Sequence, residues 1–278
     1  MLAPMSERSL LITGCSSGIG ACCADGMKAR GWRVIATARK PQDIDRLKAQ
    51  GLDALYLDYT EPDSIAECAS EALRLTGGKL GALFNNGGYG QPGAVEDIEI
   101  QVLRDQFETN FFGWHDLTRQ LIPAMRQNGG GRIVQNSSVL GLVSLKYRGA
   151  YNASKFAVEG LSDAMRQELK GTGIHVSIIE PGPITSRFGE RALAAYRANI
   201  DIANSPHRET YEHRINALET EGFNPLKMGP EAVLKKLIHA LESRFPRPRY
   251  YVTLPTHALG FGRRVLSTRM LDFIMSNE

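Results

Sequence analysis

Short apolar segments and longer amphipathic segments alternate along this chain of 278 residues. The apolar segments run on without regular polar positions, which is typical of strands buried on both faces of a parallel sheet. The segments between them have the spacing of helices that connect one strand to the next. The pattern predicts strands at 9–14, 33–38, 54–58, 80–85, 132–137, 176–180 and 250–253. Helices are predicted at 18–30, 42–49, 62–75, 99–127, 150–170 and 230–243.

Seven strands separated by helices predict a single doubly wound α/β domain over 1–278, because right-handed crossovers place the helices on both faces of a parallel sheet. Two segments interrupt the alternation. Residues 185–228 are polar and rich in charge, and their length after the sixth strand indicates a functional lobe or lid. Residues 256–278 form a tail beyond the seventh strand.

Composition narrows the class of protein. Hydrophobic residues make up 42% of the chain and the net charge is only +3, which argues against a disordered chain and against nucleic-acid binding. The four cysteines form no C-x-x-C pair, so we expect no metal site and a reducing compartment. The start of the chain has no signal peptide, and no run of 18 apolar residues occurs, so we expect a cytoplasmic protein.

A glycine-rich turn follows the first predicted strand, with the sequence TGCSSGIG at 13–20. Glycine allows positive φ and lets the backbone approach a ligand closely, and the N-terminus of the next helix attracts a pyrophosphate. The segment predicts a Rossmann-type dinucleotide site. The alternative is a tight strand-to-helix turn with no ligand. The predicted cofactor contacts here are Gly14, Ser16, Ser17, Gly18, Ile19 and Gly20.

The ends of the next strands indicate which nicotinamide cofactor binds. The second strand ends at Arg39 and has no acid there, which favours a 2′-phosphate and therefore NADP(H) over NAD(H). The alternative is a solvated Arg39 beside the following helix. Asp58 ends the third strand, where it either accepts from the adenine amino group or caps a helix. Asn86 and Gly87 end the fourth strand, where the backbone passes close to the cofactor.

Tyr151 and Lys155 are four residues apart in a predicted helix, so their side chains lie on one face. A nearby ammonium group favours the phenolate, so we expect the pKa of the Tyr151 phenol to be lowered. Ser138 ends the fifth strand, at the sheet edge that faces the ligand crevice, where its hydroxyl can hold a carbonyl oxygen.

These motifs together resemble the short-chain dehydrogenase/reductase family from about residue 8 to 255. The matching segments are T-G-x-x-x-G-I-G at 13–20, N-N-x-G at 85–88, Asn110, Ser138, Y-x-A-S-K at 151–155 and Pro181-Gly182. Position 87 departs from the family, since Gly stands where Ala is usual. Thr185 and Ser186 compete for the position at which the family often has a Thr, and register favours Ser186.

The resemblance implies a catalytic tetrad of Asn110, Ser138, Tyr151 and Lys155. Tyr151 donates the proton to the carbonyl oxygen, Ser138 orients that oxygen, and Lys155 lowers the phenol pKa and binds the nicotinamide ribose. Asn110 holds a water of a proton relay. The implied contacts with the nicotinamide are Tyr151, Lys155, Pro181, Gly182, Ile184 and Ser186.

Within the family the motifs look most like bacterial aldehyde or ketone reductases related to retinol and hydroxysteroid dehydrogenases. The implied function is NADP(H)-dependent hydride transfer to or from a lipophilic aldehyde, ketone, retinoid or steroid, by a homodimer or homotetramer that pairs through 99–127 and 150–170. Two alternatives remain: a non-catalytic NADP(H) sensor or interaction protein on the same fold, and a nucleotide-sugar epimerase.

The tail raises a separate question about partners. From Ser243 to Leu271 there are six arginines and no acid, and apolar residues share a loose helical face from Leu259 to Phe273. One interpretation is a peripheral contact with an anionic membrane. The other is packing on the same subunit or on a partner subunit.

Overall fold

The computed structural model describes residues 8–219 and 226–276. The seven predicted strands form one parallel sheet in the order β3-β2-β1-β4-β5-β6-β7, which confirms the Rossmann-type fold class. The strands are β1 Ser9–Ile12, β2 Arg33–Ala38, β3 Asp53–Tyr56, β4 Ala82–Asn85, β5 Gly131–Asn136, β6 Ile174–Glu180 and β7 Arg249–Tyr251.

Helices cover both faces of this sheet. The described helices, including those of the lobe and the tail, are α1 Gly18–Ala29, α2 Pro41–Ala49, α3 Pro62–Leu75, α4 Ile100–Phe107, α5 Gly113–Gln127, α6 Gly149–Glu168, α7 Phe188–Asn199, α8 Arg208–Glu219, α9 Glu231–Glu242, α10 Leu254–Val265 and α11 Thr268–Ser276.

The core consists of two apolar layers, one on each face of the sheet. Leu10 and Ile12 of β1 pack on the face covered by α1 and α9, while Leu11 packs on the face covered by α3 and α5. Successive strand side chains point to opposite faces, so a strand buried on both faces must be apolar at every position. This is the physical reason for the uninterrupted apolar segments in the sequence.

The predicted helix 99–127 is interrupted by one π-helical turn, Glu108–Phe112, between α4 and α5. The turn contains Asn110, whose side chain is fully buried. Such a turn inserts an extra residue into an α-helix and is frequently found at functional sites. Helical periodicity continues on both sides of the turn, so the sequence pattern predicts a single helix.

The ends of the strands differ from prediction by a few residues. The first strand stops at Ile12 rather than at 14, because Gly14 has φ +72° and turns the chain. The fourth begins at Ala82 rather than at 80.

The predicted lobe at 185–228 contains α7 and α8, and its residues 220–225 lie outside the described part of the chain. Tyr196 and Tyr211 form a small apolar cluster there with Ala94. In the tail, Leu271 and Met275 of α11 pack against Val143, and residues 277–278 lie outside the description. Within the described residues, none of the helices is long and apolar enough to cross a membrane.

Candidate active site

A cavity of about 560 Å³ opens at the carboxyl ends of the central strands. This is the edge at which open α/β sheets bind ligands. It brings together most of the residues predicted from the sequence. Its wall includes Gly14, Ser17, Gly18, Ile19, Asn86, Gly87, Asn110, Ser138, Tyr151, Lys155, Pro181, Gly182, Ile184 and Ser186. The other predicted residues, Ser16, Gly20, Arg39 and Asp58, lie outside this lining set.

The glycine-rich turn has the backbone shape that a pyrophosphate requires. Gly14 has φ +72° and Gly18 has φ +57°, a region that residues with a side chain rarely adopt. A Cβ on Gly20 would lie 2.2 Å from the Gly14 carbonyl oxygen. Ser17 precedes α1 without capping it through its side chain, and the first turn of α1 has no acid. The N–H groups of the first turn of α1 therefore remain available to bind the phosphates of a dinucleotide, so the turn fits such a ligand.

We expect Gly20→Ala to destabilise the protein by about 1–3 kcal/mol, because the new methyl group meets rigid backbone, and to weaken binding of the nicotinamide cofactor. Gly160→Ala in α6 is the matched control, since a Cβ there meets no atom within 4 Å. The control should raise the unfolding free energy by about 0.5–1 kcal/mol, because alanine restricts the unfolded chain. Denaturant unfolding and NADPH fluorescence titration measure both variants. Equal behaviour of the two would contradict the role of the turn.

Hydrogen bonds join the ends of β1, β4 and β5 beneath the cavity. Thr13 Oγ1 accepts from the backbone N–H groups of Asn86 at 2.8 Å and Gly87 at 3.0 Å. Asn136 Nδ2 donates to Asn86 Oδ1 at 2.9 Å. The N-N-x-G segment is therefore held to both neighbouring strands, which fixes the floor of the site.

Tyr151 and Lys155 are both buried in α6 and both line the cavity. Lys155 Nζ lies 5.7 Å from the centroid of the Tyr151 ring and donates to the Asn136 carbonyl oxygen at 2.8 Å. It also lies 4.4 Å from the centroid of the Trp114 ring. A cation over an aromatic face is stabilised by the ring quadrupole, so Trp114 helps to hold this ammonium group. Sequence reasoning missed Trp114.

The direction of the Tyr151 pKa is opposite to our expectation. Burial raises the pKa of the Tyr151 phenol to about 12, although a hydrogen bond with Ser138 and the charge of Arg148 oppose the rise. Burial also lowers the pKa of Lys155 to about 7. A dehydrated lysine is a weaker source of positive charge near neutral pH, so burial dominates at both groups. A neutral phenol is the form that can donate a proton.

Ser138 and Asn110 have different local environments. Ser138 Oγ accepts from the backbone N–H of Leu140 at 3.1 Å, which orients the hydroxyl beside the phenol. Asn110 Nδ2 donates to the Tyr89 carbonyl oxygen at 2.8 Å, and its Oδ1 accepts from the Tyr89 N–H at 3.1 Å. Asn110 therefore holds the loop after β4, and its part in a proton relay stays a prediction.

Basic side chains surround Ser16 at the outer end of the glycine-rich turn. Arg46 Nη2 donates to the Ser16 carbonyl oxygen at 2.7 Å, and Arg191 Nη2 of α7 lies 3.1 Å from Ser16 Oγ. Burial lowers the pKa of Arg191, and the charges of Arg39 and Arg187 lower it further. Repulsion among these guanidinium groups is relieved when an anion binds between them, so the cluster favours a negatively charged ligand. Arg46 and Arg191 are distant in sequence from the motifs, so no local signal identified them.

Arg39 and Asp58 form an ion pair, with 3.5 Å between Arg39 Nη1 and Asp58 Oδ2. The Arg39 side chain is 64% exposed, so it is free to turn toward a ligand. Asp58 Oδ1 accepts from the Thr60 N–H at 3.0 Å, which forms an Asx turn in the loop before α3; the N-cap residue of α3 is Glu61, so Asp58 does not cap this helix. Contacts of Arg39 and Asp58 with a cofactor stay predictions.

Known proteins with similar sequences and structures identify the class. The short chain dehydrogenase family model matches residues 8–196, and the chain belongs to the short-chain dehydrogenase/reductase family of oxidoreductases, which use a nicotinamide cofactor.

Three relatives illustrate the similarity. The uncharacterized oxidoreductase YbbO of Escherichia coli strain K12 is 42% identical over 97% of this chain and 94% of its own length. Human retinol dehydrogenase 8 is 34% identical over 87% of this chain and 80% of its own length. The crystal structure of a short-chain dehydrogenase from Streptomyces avermitilis superimposes with a TM-score of 0.79 at 29% identity, covering 98% of this chain and 97% of that chain.

Proposed function

We propose that this protein is an NADP(H)-dependent oxidoreductase that transfers hydride between the nicotinamide and a lipophilic aldehyde, ketone or matching alcohol, with retinoids and steroids among the candidates. The observation that carries the proposal is the buried Tyr151 phenol beside Ser138 in a cavity next to the glycine-rich turn. The outer wall of the cavity is apolar, with Leu140, Leu145, Leu226, Leu259 and Met275. The likeness to retinol dehydrogenase 8 supports a lipophilic substrate.

The nicotinamide, when bound, supplies or accepts the hydride at the carbon of the carbonyl group. The side chains of this chain manage the oxygen atom. Ser138 donates a hydrogen bond to that oxygen, and Tyr151 transfers its proton to it, so that the carbonyl becomes an alcohol. Tyr151 thereby becomes a phenolate, and Lys155 stabilises it because the Lys155 ammonium lies on the same face of α6.

The preference for NADP(H) follows from the basic rim around Ser16. Arg39, Arg46 and Arg191 form a group of guanidinium groups near the outer end of the turn. Guanidinium groups bind phosphate through paired N–H donors, and NADP(H) has a 2′-phosphate that NAD(H) lacks.

We expect Arg39→Met to lower the ratio of kcat/KM for NADPH to kcat/KM for NADH by about 10- to 100-fold, the loss of one charge-assisted hydrogen bond. Arg33→Met is the matched control. Arg33 also belongs to β2 and also pairs with a carboxylate, Asp53, at 2.8 Å. It is the first residue of the strand, however, and therefore lies at the amino end of β2, away from the cavity at the carboxyl ends. The control should leave the ratio unchanged. An unchanged ratio in Arg39→Met would contradict the assignment of the 2′-phosphate to this residue.

The proposed activity is tested by NADPH consumption with short aldehydes, retinal, medium-chain ketones and steroids. Oxidation of NADPH that depends on the carbonyl compound is the expected result. NADPH binding without oxidation by any of these substrates would contradict the proposal and favour a non-catalytic sensor.

We also infer two interactions of this protein with larger partners: association with further copies of itself and contact with a membrane surface. A homodimer or homotetramer through α4, α5 and α6 is supported by Phe112 and Phe156, which are 49% and 38% exposed on that face. A peripheral membrane contact of the tail is supported by exposed apolar residues beside its arginines, namely Phe261, Val265, Met270, Phe273 and Ile274.

A further inference from the structure

Arg148 lies in the cavity wall immediately before α6, and its guanidinium group has no acidic partner among the described residues. Its Nη1 atom is buried and has no hydrogen-bond partner within residues 8–219 and 226–276. None of the described residues that line the cavity is an Asp or a Glu. The phenols of Tyr151 and Tyr196 and the guanidinium of Arg214 are the titratable groups that act on it, and burial lowers the pKa of Arg148.

Burying a cation without a carboxylate is costly, and folded proteins normally pair such charges. This chain follows that rule at Arg249, whose guanidinium contacts Glu159, Asp163 and Glu180. Arg148 departs from the rule inside the cavity that holds Tyr151. A partly buried guanidinium whose Nη1 atom is fully buried and unpaired is explained at this place if a ligand provides the opposite charge.

The backbone fixes the position of Arg148. Tyr147 has φ +61°, and it is the only non-glycine residue with positive φ among the described residues. Its carbonyl oxygen accepts from the Gly93 N–H at 3.1 Å, and the Arg148 carbonyl oxygen accepts from the Asn152 N–H at 2.8 Å. A strained residue held by its neighbours is common next to binding sites. The side chain that follows is thereby kept in the cavity wall.

We propose that Arg148 binds a carboxylate group of the substrate, so that the preferred substrate is an aldehyde or ketone with an acidic group on an apolar body. Arg191 also lines the cavity and adds to its positive potential, which attracts an anion. The apolar wall that includes Leu145, Leu259 and Met275 accommodates the hydrocarbon part. This inference deepens the proposed function and rests on it.

The test compares a medium-chain aldehyde acid with its methyl ester, as two substrates of NADPH oxidation. We expect the wild-type protein to prefer the acid in kcat/KM. Arg148→Gln should reduce the ratio of acid to ester by roughly 10- to 100-fold, the loss of a charge-assisted hydrogen-bond pair. Arg148→Lys should retain part of the preference. Arg74→Gln is the matched control: Arg74 of α3 is an exposed arginine that pairs with Glu71 at 2.6 Å and is outside the cavity wall, so the ratio should not change.

Binding of decanoate to the protein–NADPH complex gives a second readout, which does not require turnover. Decanoate should quench NADPH fluorescence with wild type, and the binding should weaken by a similar factor in Arg148→Gln.

A wild-type preference for the ester would overturn the inference. An equal loss of kcat/KM on acid and ester in Arg148→Gln, with a shifted pH profile, would also overturn it, because Arg148 would then act only on Tyr151. Decanoate binding that depends on Arg148 without oxidation of NADPH by either substrate would contradict the proposed function and support the anion site.

Discussion

Tyr151→Phe should lower kcat for carbonyl reduction by about 10²- to 10⁴-fold, the range that a positioned proton donor contributes. The phenylalanine ring can keep the packing of Tyr151 against Phe188, whose ring centroid lies 5.4 Å away. Only the hydroxyl group is lost, so we expect NADPH to bind within about threefold of the wild-type affinity. Stopped-flow or steady-state NADPH oxidation measures the rate, and fluorescence titration measures the affinity.

Tyr251→Phe in β7 is the matched control, since Tyr251 is outside the cavity wall. Its rate should equal that of wild type. The pH profile adds a readout: burial raises the pKa of Tyr151 to about 12, so the phenol stays protonated at neutral pH. Alcohol oxidation needs the phenolate and should accelerate as pH rises, because deprotonation becomes easier. A Tyr151→Phe rate within tenfold of wild type would place the proton donor elsewhere.

The sequence predicts those features that depend on neighbours along the chain. The strands were predictable because burial on both faces requires apolar residues at each position, as in Leu10, Leu11 and Ile12. Tyr151 and Lys155 were predictable as a pair because residues four apart share a helix face. In both cases the spacing of residues along the chain is enough to predict the local structure.

Features that depend on long-range packing were not predictable in the same way. Arg191 reaches Ser16 from α7, and Arg249 reaches Glu159 from β7, so their partners are set by the fold. The π-helical turn at Asn110 leaves no periodic signal. The Tyr151 pKa was predicted in the wrong direction, because the extent of burial, which sequence does not show, outweighs the hydrogen bond with Ser138 and the charge of Arg148.

A buried ionic cluster lies directly behind the reaction centre and was not predicted as a unit. Arg249 Nη1 lies 2.9 Å from Glu180 Oε1 and also contacts Glu159, while Nη2 lies 2.6 Å from Asp163 Oδ2. The side chain of Glu180 is fully buried and that of Glu159 is 8% exposed. Glu159 is one turn beyond Lys155, and its charge raises the Lys155 pKa against the effect of burial. The cluster therefore connects stability with the charge of the active-site lysine.

Arg249→Met should lower the free energy of unfolding by about 3–5 kcal/mol at pH 9, because two buried carboxylates lose their cation. Burial already raises the pKa of Glu180 to about 8, and removing Arg249 raises it further. A folded-state pKa above the unfolded value means that stability is lost as pH rises through it. The part of the deficit that comes from Glu180 therefore develops above about pH 8, and the total deficit should be smaller at pH 7 than at pH 9. Arg244→Met, at an exposed site beside Phe245, is the control and should change the unfolding free energy little. Adding Glu159→Gln should recover part of the loss, since it removes one unpaired charge. Urea unfolding at pH 7 and pH 9 tests all three variants, and a pH-independent loss under about 1 kcal/mol in Arg249→Met would contradict the electrostatic account, because one buried, uncompensated carboxylate alone exceeds that cost.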